Sequence, residues 1–163
     1  MKKILSIALI LAIMIPLVAC FSACAHSYKN DLDAAEVINS VKVSLNNFDD
    51  MQSLDAGQLL IRLDDEALAD VVSDFQILYN SENYDEFAVL KADSNEAAKN
   101  VADKIKSHYF PMKESLMATY NPDLYAKIDG AVCEVYGQYV AYAILSQGER
   151  EDVMQAVKAE LKK

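Results

Sequence analysis

Apolar and polar positions along the chain change period several times, and each change marks an element. Val37, Ile38, Val41, Leu45 and Phe48 recur at helical spacing and predict a helix over 34–47. Asp33 and Glu36 stand three apart just before that stripe, the spacing of a capping box. Asp49 to Gly57 is polar and turn-like, and Leu59-Leu60-Ile61 is a short apolar run that fits either element type. Asp64 then heads a second predicted helix, with Ala67, Leu68, Val71, Val72 and Phe75 on one face. The run Asp64-Asp65-Glu66 suits a helix N-terminus, where the macrodipole favours anions, better than a metal site.

From Glu86 to Ala92 the period drops to two, with Phe87 and Val89 alternating against Ala88 and Leu90, which predicts a strand. Asp93 and Ser94 open a long helix whose stripe is Ala98, Val101, Ala102, Ile105, Tyr109, Met112 and Leu116. Pro111 should end or kink it near residue 110, because proline lacks the N–H and crowds the preceding turn. Lys99, Lys106 and Lys113 recur every seven residues beside Asp103 and read as a solvated, salt-bridged face. Asn121-Pro122 starts a short helix that stops at Gly130. Ala131–Tyr136 and Tyr139–Leu145 then flank Gly137-Gln138, a two-residue loop with glycine first, as a type II′ hairpin requires. That loop sets Tyr136 opposite Tyr139, Val135 opposite Val140 and Cys133 opposite Tyr142. Val135, Val140, Cys133, Tyr142, Ala131 and Ile144 share an apolar face, while Tyr136, Tyr139, Glu134 and Ala141 form a face expected to be partly wet. A last helix follows Gly148, striped by Val153, Val157 and Leu161. The expected fold is an α+β, two-layer domain, with helices packed on one face of a small, mainly antiparallel sheet.

The first residues follow a different logic. Lys2 and Lys3 precede an apolar run from Ile4 to Ala19, broken by Ser6 and Pro16. That run is short for a membrane span, which needs ~20 residues, and has the shape of a secretory signal peptide. Leu17-Val18-Ala19-Cys20 resembles a bacterial lipobox, which implies that Cys20 is lipidated and that residues 1–19 are removed. Cleavage before Cys24 would place Phe21, a poor residue there, three positions ahead, so Cys20 is favoured. Residues 20–30 are then a tether and 31–163 a single domain, held on the extracytoplasmic face of the cell membrane by the acyl chains.

Charge and composition narrow the function classes. The 163 residues carry 15 Lys+Arg against 25 Asp+Glu, a formal net charge of −10, which opposes nucleic-acid binding and contact with anionic lipid. With 53% apolar residues the chain is not an acidic disordered protein. Three cysteines and two histidines indicate neither a disulfide scaffold nor a metal cluster, and no cofactor motif occurs. Cys133 falls on the apolar hairpin face, far along the chain from His26 and on a different element from His108, so it reads as a structural thiol.

Taken in order, Tyr84-Asp85-Glu86-Phe87-Ala88-Val89-Leu90-Lys91-Ala92, Tyr120-Asn121-Pro122 and Gly137-Gln138-Tyr139-Val140 resemble a family of small bacterial lipoproteins, the domain of unknown function 4358. The resemblance spans about Asp33 to Ser146 and implies an exported, membrane-tethered α+β domain; it implies no activity and no catalytic residue. Two function classes follow. The favoured one is a binding or interaction module for an envelope protein or ligand, with Tyr136, Tyr139, Tyr84 and Glu134 as its contact residues. The other is a small envelope hydrolase using carboxylates or tyrosine. A cleft of converging acids would favour the hydrolase, and an open tyrosine-bearing sheet face would favour the module.

Overall fold

A computed structural model describes residues 27–121 and 124–163. The expected signal peptide, Cys20, Cys24, His26 and Pro122 lie outside the described residues. The elements run α1 (Ala34–Leu45), β1 (Gln52–Ser53), α2 (Ala56–Leu63), α3 (Glu66–Asp70), β2 (Val72–Tyr79), β3 (Glu86–Ala92), α4 (Asn95–Lys104), a π-helical turn (Ile105–Tyr109), α5 (Phe110–Tyr120), α6 (Tyr125–Asp129), β4 (Val132–Tyr136), β5 (Tyr139–Ile144) and α7 (Gln147–Leu161). The sheet is antiparallel throughout, in the order β1-β2-β3-β5-β4, so the fold is α+β.

The helices cover both faces of the sheet, where a single covered face was expected. On one face α1 and α7 bury Phe87, Val89, Tyr139, Ala141 and Ala143. On the other, α2, α4 and the π turn bury Ile77, Ala88, Leu90, Val140, Tyr142 and Ile144. Period-two alternation in β3 reflects this: both sets of its side chains are apolar because both are covered. The hairpin register is as expected, with Tyr136 paired to Tyr139 and Cys133 to Tyr142. Gly137 has φ 65°, a conformation glycine adopts without Cβ strain.

The second predicted helix is cut short. α3 ends at Asp70, and Val72–Tyr79 is a strand paired with β3 from Tyr79–Glu86 to Val72–Ala92. The helical spacing of Val71, Val72 and Phe75 was real, but Phe75, Ile77 and Tyr79 also alternate, and cross-strand pairing with a buried partner decides between the two periods. Asp65, not Asp64, caps α3 by accepting the Leu68 N–H at 3.1 Å. Asp64 closes α2 in the left-handed conformation, with φ 46°. A register irregularity falls between Val72 and Asp74, and the Asp74 carboxylate accepts the Ala34 N–H at 2.6 Å, at the start of α1.

Pro111 acts one turn earlier than its own position. It offers no N–H to Ser107, and its ring would crowd that carbonyl. The chain absorbs this in the π turn, where the Phe110 N–H reaches back to the Ile105 carbonyl. One extra residue in a turn rotates everything downstream by ~100° about the axis. Lys113 is therefore not on a solvated face with Lys99 and Lys106: its side chain is only 13% exposed and points at the sheet.

At the other end of the sheet the first described residues are strapped to the last. Tyr28 bridges Lys162, the Lys29 N–H donates to Leu161 O at 2.8 Å, and Lys29 pairs with Glu160 at 3.2 Å. Tyr28 also packs edge-on against Tyr136, with ring centroids 5.5 Å apart. Tyr28 and Lys29, which fall in the expected tether, thus contact the domain.

Candidate functional site

The structure removes the expected interaction face. Tyr136 and Tyr139 are buried under α1 and α7. The Tyr136 hydroxyl donates to Glu134 at 2.6 Å, with the Met154 carbonyl at 3.3 Å, and the Tyr139 hydroxyl donates to the Leu32 carbonyl at 2.7 Å. These rings brace the hairpin against the helices and present no contact surface. Glu134 is exposed and engaged with Tyr136. Tyr84 adopts φ 61° in the β2–β3 turn and packs edge-on against Tyr79, 6.4 Å between centroids.

Buried chemistry is concentrated instead around Glu86, the first residue of β3. Its side chain is fully buried among the ends of α2, the π turn, α5 and β5. Oε1 accepts from Arg62 Nε at 2.8 Å, from the Tyr109 hydroxyl at 2.8 Å and from the Tyr142 hydroxyl at 2.5 Å. Oε2 accepts from Lys113 Nζ and again from Tyr109, each at 2.8 Å. Five donor contacts on two oxygens leave no acceptor capacity for another group. Burial by itself would raise the Glu86 pKa, but Lys113 and Arg62 outweigh it and hold the carboxyl at about 2. Burial beside that carboxylate pushes Tyr109 and Tyr142 well above the ordinary phenol range.

The cation side is less fully used. Arg62 Nη1 donates to the Gln58 carbonyl at 2.7 Å and to its side-chain oxygen at 3.2 Å. Among the described residues Nη2 makes no hydrogen bond, while every fully buried side-chain nitrogen and oxygen has a partner, so Nη2 is not completely sealed, although Arg62 as a whole is buried. Lys113 Nζ lies over the Tyr79 and Tyr109 rings, at 5.3 and 5.5 Å from their centroids, and gives one hydrogen bond, to Glu86. These groups line a cavity of about 320 Å³, together with Leu54, Ile61, Met112 and Leu116. Two lysine- and arginine-borne charges against one carboxylate make the cluster net positive in an acidic protein.

Elsewhere the candidates are structural. Cys133 is buried, with its thiol pushed up to about 12 by that burial and its Sγ 3.9 Å from the Ala102 carbonyl. His108 sits 3.7 Å from Asp64 at the surface. Lys127 bonds Asp85 at 2.5 Å and the Asn83 carbonyl at 3.1 Å, pinning the β2–β3 turn to α6. No three His, Cys, Asp or Glu side chains converge as a metal site among the described residues. Nor does any described helix have the length and apolarity to cross a membrane.

The sequence reading missed this cluster, although two signals stood in it. Glu86 heads a run read as a strand that is apolar on both faces, and an acid buried with such a run demands partners. Arg62 is one of only two arginines and follows Leu59-Leu60-Ile61 directly.

Fold and site together define a small α+β domain with a cationic, aromatic-walled cleft at one end of its sheet. The model of the DUF4358 family, a domain of unknown function, matches residues 42–145, and the chain belongs to that family. No curated protein and no solved structure matches it.

Proposed function

We propose that the chain is an exported, lipid-anchored envelope protein whose domain works as a binding module through the Arg62–Lys113 cleft. The observation that carries the reading is the opposition of strap and cleft. Tyr28 packs at the Gly137 turn, beside the Lys91–Tyr139 row of the sheet, whereas Glu86 pairs with Ile144 five residues along β3, ~17 Å away at ~3.3 Å per residue. The cleft also lies on the opposite face of the sheet from the strap. In this reading the anchor at Cys20 joins the domain at its strapped end, within ~25 Å of extended chain before Ser27, and the cleft lies at the far end of the sheet.

The electrostatics favour recognition over the hydrolase reading. A carboxylate held at about 2 and phenols held protonated supply neither a general base nor a nucleophile near neutral pH. The one acid in the cleft is neutralised by its neighbours, so converging acids are not its character.

Two measurements test the reading in living cells. Cys20→Ser should abolish acyl labelling and membrane retention, and Cys24→Ser should leave both intact; the reverse pattern moves the anchor to Cys24. A photoreactive side chain at Leu116, on the cleft rim, should yield a defined mass adduct on the protein. The same group at Val43, which is 82% exposed on α1, should not. Equal adducts at both positions would remove the cleft as the binding site.

A further inference from the structure

Resting on that reading, we propose that the cleft is a specific site for a small amphipathic monocarboxylate, its carboxylate on Arg62 and Lys113 and its apolar body on Ile61 and Leu116. Three observations meet there. The first is charge: Glu86 offsets one cation of two, so one positive charge remains at the cleft. The second is the hydrogen-bond inventory. Among the described residues, Arg62 Nη2, the Tyr79 hydroxyl and two Lys113 protons donate to no protein atom, and Glu86 can accept nothing further. A site whose spare donors sit mainly on two cations, and whose one carboxylate is saturated, favours an anion over an amine. The third is the rim. Ile61 is 53% and Leu116 45% exposed, which places an uncovered apolar pair beside the charged floor.

Size and geometry set the ligand class. A cavity of about 320 Å³ is at the small end of ligand pockets, which run from ~300 to ~1,000 Å³, so it suits a short-chain acid rather than a long acyl chain or a polymer. Lys113, moved out of its surface row by the π turn, and Arg62, capping the end of α2, approach Glu86 from different helices. A carboxylate placed over both would complete an alternating plus–minus ring with Glu86 and would keep each cation hydrogen-bonded in two directions.

Titration calorimetry on the full chain in neutral detergent micelles tests this, with blank micelles subtracted and hexanoate, hexanol and hexylamine as probes. Hexanoate should bind saturably and about tenfold or more tighter than hexanol, as one or two charge-assisted hydrogen bonds predict. Hexylamine should not bind. Leu116→Glu, at an exposed rim position where folding is not at stake, should weaken hexanoate about tenfold, and so should Lys113→Met. Circular dichroism of each variant confirms that its fold is retained. Hexanoate no tighter than hexanol, or indifferent to Leu116→Glu, overturns the proposal. Hexylamine or hexanol binding that Leu116→Glu disrupts overturns the anionic class while leaving the cleft as a binding site. The photoadduct at Leu116 decides the cleft itself, independently of any of these probes.

Discussion

Glu86→Gln removes the one negative charge beneath two cations while preserving shape, so it isolates the electrostatic role of the cluster. Removing one partner of a buried ion pair costs about 3–5 kcal/mol, because the surviving cations lose their counter-charge and stay desolvated. The titration of Glu86 gives a second estimate. Its carboxyl shifts from 4.5 to about 2, which at ~1.4 kcal/mol per pH unit is about 3 kcal/mol. Lys113 tempers the cost, since its partly exposed ammonium can turn toward water, whereas Arg62 is pinned to Gln58 and cannot. A loss of about 3 kcal/mol is a large part of the ~5–15 kcal/mol that holds a domain together, and should lower the melting temperature by about 10 °C. The pH dependence carries the same signature. A depressed carboxyl stabilises fully above its unfolded pKa, and that stability disappears as pH falls through the folded value. The wild type should therefore lose about 3 kcal/mol between about pH 4.5 and about pH 2 that Glu86→Gln does not lose. Urea unfolding at pH 7 and through the acid range measures both. A Glu86→Gln variant within about 1 kcal/mol of wild type at pH 7 would refute the view that Glu86 binds the cluster together.

Two further outcomes follow from the buried hairpin. Tyr139→Phe should cost about 1 kcal/mol in urea unfolding, because the Leu32 carbonyl loses one of its two donors and keeps only Lys91 Nζ, at 3.0 Å, while the ring stays packed; no change would mean that the bond contributes nothing. The Cys133 peptide should resist iodoacetamide at pH 8 in the native protein and react fully in denaturant, as mass spectrometry reads; rapid native labelling would contradict its burial and its pKa of about 12.

Local rules carried much of the fold. Gly137-Gln138 dictates its own turn, and a period-two hairpin leaves one register, so Tyr136–Tyr139 and Cys133–Tyr142 followed from spacing alone. Ser94 caps α4 and Gly130 closes α6 for similarly local reasons. What spacing could not decide was which faces would be covered. Tyrosine on a strand fits a wet face and a buried one equally, and Tyr136 and Tyr139 are buried because α7, a later element, lies over them and Leu32 and Met154 accept their hydroxyls. The site was illegible for a related reason. Glu86, Arg62 and Lys113 belong to β3, α2 and α5, and only tertiary packing brings them together. The heptad spacing of Lys99, Lys106 and Lys113 even pointed away from the site, because one π turn breaks the helical phase between the second lysine and the third.

Part of the irregular backbone borders the cleft: the π turn that carries Tyr109, the left-handed Asp64 after Arg62 and the left-handed Tyr84 beside Tyr79, whereas the left-handed Asn46 and Phe48 follow α1 elsewhere. Such features cost stability and persist where the surroundings determine them. A buried ion cluster is likewise a poor stabiliser, since well-packed apolar residues of similar volume often match or exceed it by about 1–4 kcal/mol. If stability were the purpose of the cluster, its apolar replacement should be harmful. The combined variant Arg62→Met, Glu86→Leu, Tyr109→Phe, Lys113→Met, Tyr142→Phe removes every charged or hydroxyl partner together and orphans none of them. It should unfold within about 2 kcal/mol of wild type, or above it, and should bind hexanoate no better than hexanol. Single replacements such as Glu86→Gln should be worse than the whole set, because each leaves a buried charge unpaired. A combined variant that loses about 5 kcal/mol or more would assign the cluster to the core, and its neighbouring cleft would lose the argument that charge was placed there for a ligand.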